Sequence, residues 1–176
     1  AALLERCSIR AEQLRPLALD TPIVENGRPR AILCHAGDAA WREAALIVQD
    51  AIRQATGVEI PLKTDTDLSA EEFASNHLIL LGHLENHRWV ARLYHNFFVC
   101  LDPGFTGRTG YVLRSVYDPF GNGQNAILVG GSFAEGTRKA AEAFAELIGK
   151  EGSAGKLSVG RLIALEFDPQ DCQAKV

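Results

Sequence analysis

Two periodicities of apolar residues follow one another along the chain. Residues 22–35 end in a short apolar run, and HLILLG at 77–82 forms another, as expected of strands that reach a core. Between them, apolar residues recur at helical spacing over 39–56 and stop before Gly57, which predicts an amphipathic helix that ends at the glycine. The stripe of that helix consists of Trp41, Ala45, Val48, Ile52 and Ala55.

The same alternation continues in the rest of the chain. VEIPLKTD at 58–65 is predicted to be an edge strand, because Pro61 lacks the amide that a central strand donates. A second helical stripe lies within 84–99. Residues 111–131 predict an antiparallel hairpin, since two apolar strands flank a turn rich in glycine and asparagine. The second stripe contains Trp89, Val90, Leu93, Tyr94 and Phe97.

These elements predict one α/β domain over residues 22–168. We expect a two-layer sandwich, in which a small mixed β-sheet with a β-hairpin carries packed helices. The strongest helical stripes lie at 39–56 and 133–148, and RLIALEF at 161–167 supplies a late strand. A leucine-rich arm or helix over 1–21, which would pack on a neighbour, and a tail over 169–176 are expected to flank this domain.

Composition limits the partners of the chain. With 176 residues and 47% hydrophobic residues, the chain is long enough to bury a core. The net charge of −4 and a pI of about 5.7 argue against binding to a nucleic-acid backbone. No apolar run approaches the roughly 18 residues of a membrane span, and the first twenty residues lack a signal-peptide core. We therefore expect neither nucleic acid nor membrane as a partner.

Because the chain begins with Ala1 and contains no methionine, we expect that upstream residues have been removed and that it is one piece of a longer protein. Its four cysteines show no CxxC pair and no zinc-ribbon spacing, so no metal site is expected. Cys34 and Cys100 lie in apolar stretches and are expected to be buried free thiols. Cys7 and Cys172 pair only if the two ends of the chain meet, and the sequence leaves this open.

The stretch NAILVGGSFAEGTRKAAEAFAELIG, residues 125–149, places two glycines between a strand and a helix. Such a junction holds a phosphate in many proteins, but the lysine of the phosphate-binding loop is absent here. Ser132 and Glu135 have the spacing of a capping box, in which each side chain bonds to an amide of the first helical turn. A carboxylate there also opposes an incoming phosphate. A nucleotide-binding enzyme is therefore the least favoured function for this chain, and no cofactor is expected.

No group of residues predicts catalysis. His83 and His87 lack a third ligand at metal spacing and are expected to be a pair of surface histidines. Asp102 and Asp118 precede prolines, as is typical of turns. No serine stands in a G-x-S-x-G elbow. We expect no catalytic, cofactor-binding or metal-binding residue, and the candidate contacts to a ligand or partner are Asp102, Phe105, Arg108, Tyr111 and Phe120.

Several short motifs match a known group of domains. Thr56-Gly57 ends the first helix ahead of a hydrophobic-proline strand with Ile60-Pro61, and Gly110-Tyr111 opens the hairpin. Together with the alanine-rich last helix, this order resembles the non-catalytic amino-terminal α/β domain of carbohydrate-active enzymes. The group comprises family-20 hexosaminidases, α-glucuronidases, α-N-acetylglucosaminidases and enzymes of the heparinase-like lyase type. The helical segment at 84–99 is longer and more aromatic than in that group.

The resemblance covers residues 22–167 and implies an accessory role. The catalytic carboxylates of such a protein would lie in a following domain, which is the expected partner, and none of the matching positions is catalytic. The resemblance also implies a secreted or periplasmic protein, which is a glycoside hydrolase or polysaccharide lyase as a whole. The alternative function is a module that binds a glycan or cell-surface polymer through the loops 102–110 and 119–124, where Phe105 and Phe120 would stack on sugars.

Overall fold

A computed structural model describes residues 17–168 and residue 170. The strands are β1 (Thr21–Glu25), β2 (Arg28–Pro29), β3 (Ala31–His35), β4 (Leu62–Thr64), β5 (His77–Leu81), β6 (Tyr111–Val116), β7 (Ala126–Gly130), β8 (Leu157–Val159) and β9 (Ile163–Glu166). The helices are α1 (Ala39–Thr56), α2 (Ala70–Ser75), α3 (Arg88–His95) and α4 (Ala134–Glu151).

A mixed six-stranded sheet organises the domain, with the strand order β4-β3-β5-β7-β6-β9. The first four strands are parallel, whereas β6 runs antiparallel to both β7 and β9. A smaller antiparallel sheet has the order β2-β1-β8. The predicted α/β class, the β6–β7 hairpin and the edge position of β4 are confirmed.

Both faces of the large sheet are covered where its parallel strands lie. Ile79 and Leu81 of β5 face the core formed with α1 and α4, while Leu78 and Leu80 face a second core with α3. Strands that are buried on two faces read as continuous apolar runs, which explains the HLILL sequence of β5. The two long helices and the sheet form the predicted pair of layers, and the shorter helices pack on the opposite face.

Two helix ends follow from local sequence, and the one at Gly57 was predicted. α1 ends at Gly57, which has the left-handed φ of 74° and donates its amide to Arg53 O at 2.8 Å. Ser69 and Glu72 form a capping box at the start of α2. Asp38 occupies the N-cap position of α1, but its carboxylate accepts no hydrogen bond from the helix amides.

The helix predicted within 84–99 is shorter in the structure. α3 covers eight residues and ends at His95, and Phe97, two residues later, has a φ of 61°. The Phe97 side chain is 94% exposed, so its assignment to the buried stripe is wrong. The apolar run that ends residues 22–35 forms β3 as predicted, and the residues before it form two further strands, β1 and β2.

Two predictions about single side chains are wrong as well. α4 begins after Phe133 without a capping box; the Ser132 hydroxyl donates to Phe105 O, and Glu135 pairs with Arg108. Cys100 is exposed, whereas Cys34 is a buried free thiol as expected. Burial, reinforced by the charge of Asp65, raises the pKa of the Cys34 thiol to about 12.

Some predictions lie outside the described residues. They concern Cys7 and Cys172, most of the arm over 1–21, and the tail over 169–176 apart from residue 170. Among the described helices, none combines the length and apolar character that crossing a bilayer requires.

Candidate functional site

The carboxyl ends of the parallel strands are the first place to look for a site. The chain passes from β3 outward to β4 and then returns to β5 on the other side of β3. Such a reversal opens a crevice beyond the strand ends, where open α/β sheets bind ligands. In this protein the loop that follows β5 folds back over that crevice.

His87 fills the crevice and is structural. Its Nε2 donates to the carbonyl oxygen of Cys34 at 3.2 Å, and its Nδ1 accepts the amides of Trp89 at 3.3 Å and Val90 at 3.4 Å. The side chain therefore caps α3 in its neutral form. Burial lowers the pKa of His87 to about 4, although the nearby Asp65 carboxylate acts in the opposite direction.

His83 lies beside this cap and is also buried. Its Nδ1 accepts the amide of Glu85 at 3.2 Å, and its ring meets the Trp41 ring edge-on at a centroid distance of 5.9 Å. Burial lowers the pKa of His83 as well. The expectation of two surface histidines is wrong, because the loop after β5 turns both rings inward.

The glycines at the start of α4 serve close packing. A Cβ at Gly136 would collide with the carbonyl oxygen of Gly110, and a Cβ at Gly131 would lie 2.7 Å from the backbone of Gly136. The Gly131 amide donates to Thr137 Oγ1 at 3.0 Å. The loop that ends at Gly110 thus occupies the space that a phosphate would need at this junction.

Four of the five predicted contact residues lie near the carboxyl ends of the parallel strands. The Asp102 carboxylate accepts the amides of Gly104 at 2.8 Å and Phe105 at 2.7 Å, and the Tyr94 hydroxyl at 3.3 Å. Partial burial acts to raise the pKa of Asp102, but these donors hold it below the usual value. Asp102 is therefore the turn residue that its sequence indicates. The Phe105 ring packs edge-on against Phe167 at 5.3 Å.

Arg108 and Tyr111 complete this group. Arg108 Nε lies 3.4 Å from the Glu135 carboxylate, and both side chains are largely exposed. Burial, followed by the charge of Glu166, raises the pKa of Tyr111. A shallow groove of about 600 Å³ lies beside these residues. Its lining consists of Arg108, Thr109, Glu135, Lys139, Glu166, Asp168 and Gln170.

Phe120 lies at the other end of β6, away from the other four. Its ring packs at 5.1 Å from Phe73 and 5.9 Å from Trp89, and the Arg92 guanidinium lies 5.2 Å above it. The six residues of β6 separate the loop 119–124 from the loop 102–110 by roughly 20 Å. The structure therefore does not join these loops into one surface.

Comparison with known proteins gives a distant structural likeness. No protein-family model matches the chain, and no curated protein is a detectable relative. A solved structure described as Streptomyces plicatus N-acetyl-beta-hexosaminidase in complex with Thio-NAglucal (TNX) is similar with a TM-score of 0.47 and 15% identity. The match covers 85% of this chain and 24% of that chain, so the chain spans about a quarter of the hexosaminidase. A likeness this weak supports no functional conclusion.

The structure has an exposed apolar surface along β9, the edge strand at the opposite side of the sheet from β4, which the sequence did not predict. Ile163 and Leu165 of β9 are 62% and 48% exposed, and Phe167 just beyond the strand is 44% exposed. Leu17 and Leu19 are also more than half exposed, and with Ile163 they line a groove of about 460 Å³. We call these five residues the β9 surface. The alternation in RLIALEF predicts a strand, but it does not reveal which face stays uncovered.

Proposed function

We propose that this chain is a non-catalytic accessory domain that docks on, and stabilises, the catalytic domain of a larger glycoside hydrolase or polysaccharide lyase. The parent enzyme acts in a secreted or periplasmic setting. The β9 surface is the observation that supports docking. The class of the parent comes from the sequence resemblance, which rests on Thr56-Gly57, Ile60-Pro61 and Gly110-Tyr111.

Burial of the β9 surface would yield a useful free energy. Complete burial of one leucine, isoleucine or phenylalanine side chain contributes about 1.5–3 kcal/mol. Ile163, Leu165 and Phe167 each have about half of their surface still in water. Covering the rest of these three side chains would contribute roughly 3 kcal/mol, which the isolated chain forgoes.

The crevice beyond the carboxyl ends of the parallel strands supports the same proposal. His87 and the loop ending at Gly110 occupy the positions where an α/β enzyme of this topology would hold its ligand. The described residues contain no cluster of three or more metal-ligating side chains. A docking role requires neither an open ligand-binding crevice nor a metal site.

The glycan-binding alternative gains less from the structure. The rings of Phe105 and Phe120 pack on protein side chains, and their loops lie at opposite ends of β6. Sugar stacking requires an open aromatic face. We expect calorimetric titration of the chain with oligosaccharides to show no heat beyond dilution, and saturable heat would revive this alternative.

The docking proposal can be tested with Leu165→Lys in the intact gene product and in the 176-residue chain. In the intact protein, a lysine in the docked surface should lower the melting temperature by several degrees. In the 176-residue chain the melting temperature should hardly change, because Leu165 is half exposed there. Gln54→Lys, at an exposed position of α1, is the matched control and should be neutral in both.

Two results would contradict the proposal. One is an equal effect of Leu165→Lys in the intact protein and in the 176-residue chain. The other is cleavage of aryl glycosides or uronic-acid polymers by the purified chain above a heat-treated control, since an accessory domain should show none.

A further inference from the structure

The two edges of the large sheet differ in how they are protected. The edge strand β4 is three residues long, follows Pro61 and contains Lys63, whose ammonium group pairs with Glu72 at 2.5 Å. Proline, lysine and short length are the usual devices that keep an edge from pairing with another strand. β9 is also short, at four residues, but it has neither proline nor lysine, and its one charged residue, Glu166, stands at its end.

The backbone of β9 leaves one row of polar groups outside the sheet. β9 pairs antiparallel with β6, with Leu113 opposite Ala164, and the Ser115 amide donates to Leu162 O at 2.9 Å. Because the bonded positions of an antiparallel pair alternate, even-numbered residues of β9 face β6 and odd-numbered residues face outward. The outward amides and carbonyls are those of Ile163 and Leu165, and no described strand pairs with them.

Side chains on the open strand specify what would pair there. Ile163 and Leu165 share one face, on which Arg114 stands opposite Ile163. Arg161 lines the groove beside them. An apolar stripe with two guanidinium groups at one end is complementary to a segment that has apolar residues at alternate positions and a carboxylate near that end.

We infer that an extended segment of the partner domain adds to β9 as a seventh strand of the sheet. This inference rests on the proposed docking function and names its mode. The segment supplies backbone partners to Ile163 and Leu165, whose outward groups pair with none of the described strands, and its apolar side chains extend the β9 surface.

Amide hydrogen exchange tests the added strand directly. In the intact gene product, the amides of Ile163 and Leu165 should exchange at least about tenfold more slowly than in the 176-residue chain, because each gains a hydrogen bond. The amides of Ala164 and Glu166 point toward β6 and serve as an internal reference that is protected in both proteins.

A pair of substitutions separates the backbone from the side chain. Leu165→Pro removes an outward amide that the β6 ladder does not use, so the 176-residue chain should still fold. Leu165→Ala removes a similar amount of side chain and keeps the amide. In the intact protein the proline variant should return Ile163 to the exchange rate of the 176-residue chain, whereas the alanine variant should retain most of its protection.

The outcomes distinguish the two proposals. If Leu165→Lys destabilises the intact protein but the outward amides exchange equally fast in both proteins, docking stands and the added strand is wrong. If Leu165→Lys has no selective effect either, both proposals fail. The amides of Ile163 and Leu165 could also be protected in the isolated 176-residue chain. If that protection increases with protein concentration, a second copy of the chain is the occupant and the inference is wrong.

Discussion

The imidazole of His87 donates a hydrogen bond of 3.2 Å to the carbonyl oxygen of Cys34, which lies 53 residues earlier in the chain. The opposite ring nitrogen accepts the first amides of α3. One side chain therefore joins the end of β3 to the start of α3. This arrangement requires a neutral ring, since protonated Nδ1 cannot accept a hydrogen bond.

The protein should lose stability as the pH falls below neutrality. The pKa of His87 is about 4 in the folded state and about 6.5 in the unfolded chain, so the unfolded state binds the proton first. The stabilisation is complete above pH 6.5 and declines as the pH falls toward 4, by at most about 3 kcal/mol. Chemical denaturation at pH 7, 5.5 and 4.5 measures this slope. His77, whose pKa burial also lowers, contributes in the same direction.

His87→Asn is the control for that experiment. An asparagine oxygen can still cap the helix but has no titrating group. The variant should be less stable at pH 7, because the bond to Cys34 O is lost, and its stability should depend less on pH. An unchanged slope between pH 6.5 and 4.5 would remove His87 as the cause.

The start of α4 should not tolerate a side chain at Gly136. In Gly136→Ala the new methyl group would overlap the carbonyl oxygen of Gly110, so we expect a loss of about 2 kcal/mol or more. Gly149→Ala in the same helix has no atom within 4 Å of its new methyl group. It should stabilise the protein by about 0.5–1 kcal/mol, because alanine is the better helix former. Denaturant melts of both variants measure the difference, and equal effects would show that the packing at Gly110 relaxes easily.

Phe120 should behave as a core residue rather than an open contact. Phe120→Ala removes the ring that packs on Phe73 and Trp89, and we expect a loss of about 2–3 kcal/mol. Phe97→Ala makes the same change at a side chain that is 94% exposed and should alter stability by less than about 0.5 kcal/mol. If Phe120→Ala proved as neutral as Phe97→Ala, the ring would be available for another role.

Local sequence determined those features that depend on neighbours along the chain. The amphipathic period over 39–56 and Gly57 defined α1 and its end, and the apolar run HLILL defined β5. The turn residues between β6 and β7 likewise predicted the hairpin. Each of these features depends on a few neighbouring residues: the apolar spacing of a helix, the apolar run of a buried strand, and a glycine in a left-handed conformation. The sequence alone therefore reveals them.

Only the tertiary structure decided features that depend on distant residues. Ser132 has the spacing of a helix cap, but its hydroxyl donates to Phe105 O in a distant loop, and Phe133 is the N-cap residue. His87 caps α3 because Cys34 O stands at the end of β3. The exposure of Ile163 depends on which layer covers β9, and the alternation along RLIALEF is the same whichever face is open. These outcomes arise from contacts between segments far apart in sequence, which no local pattern records.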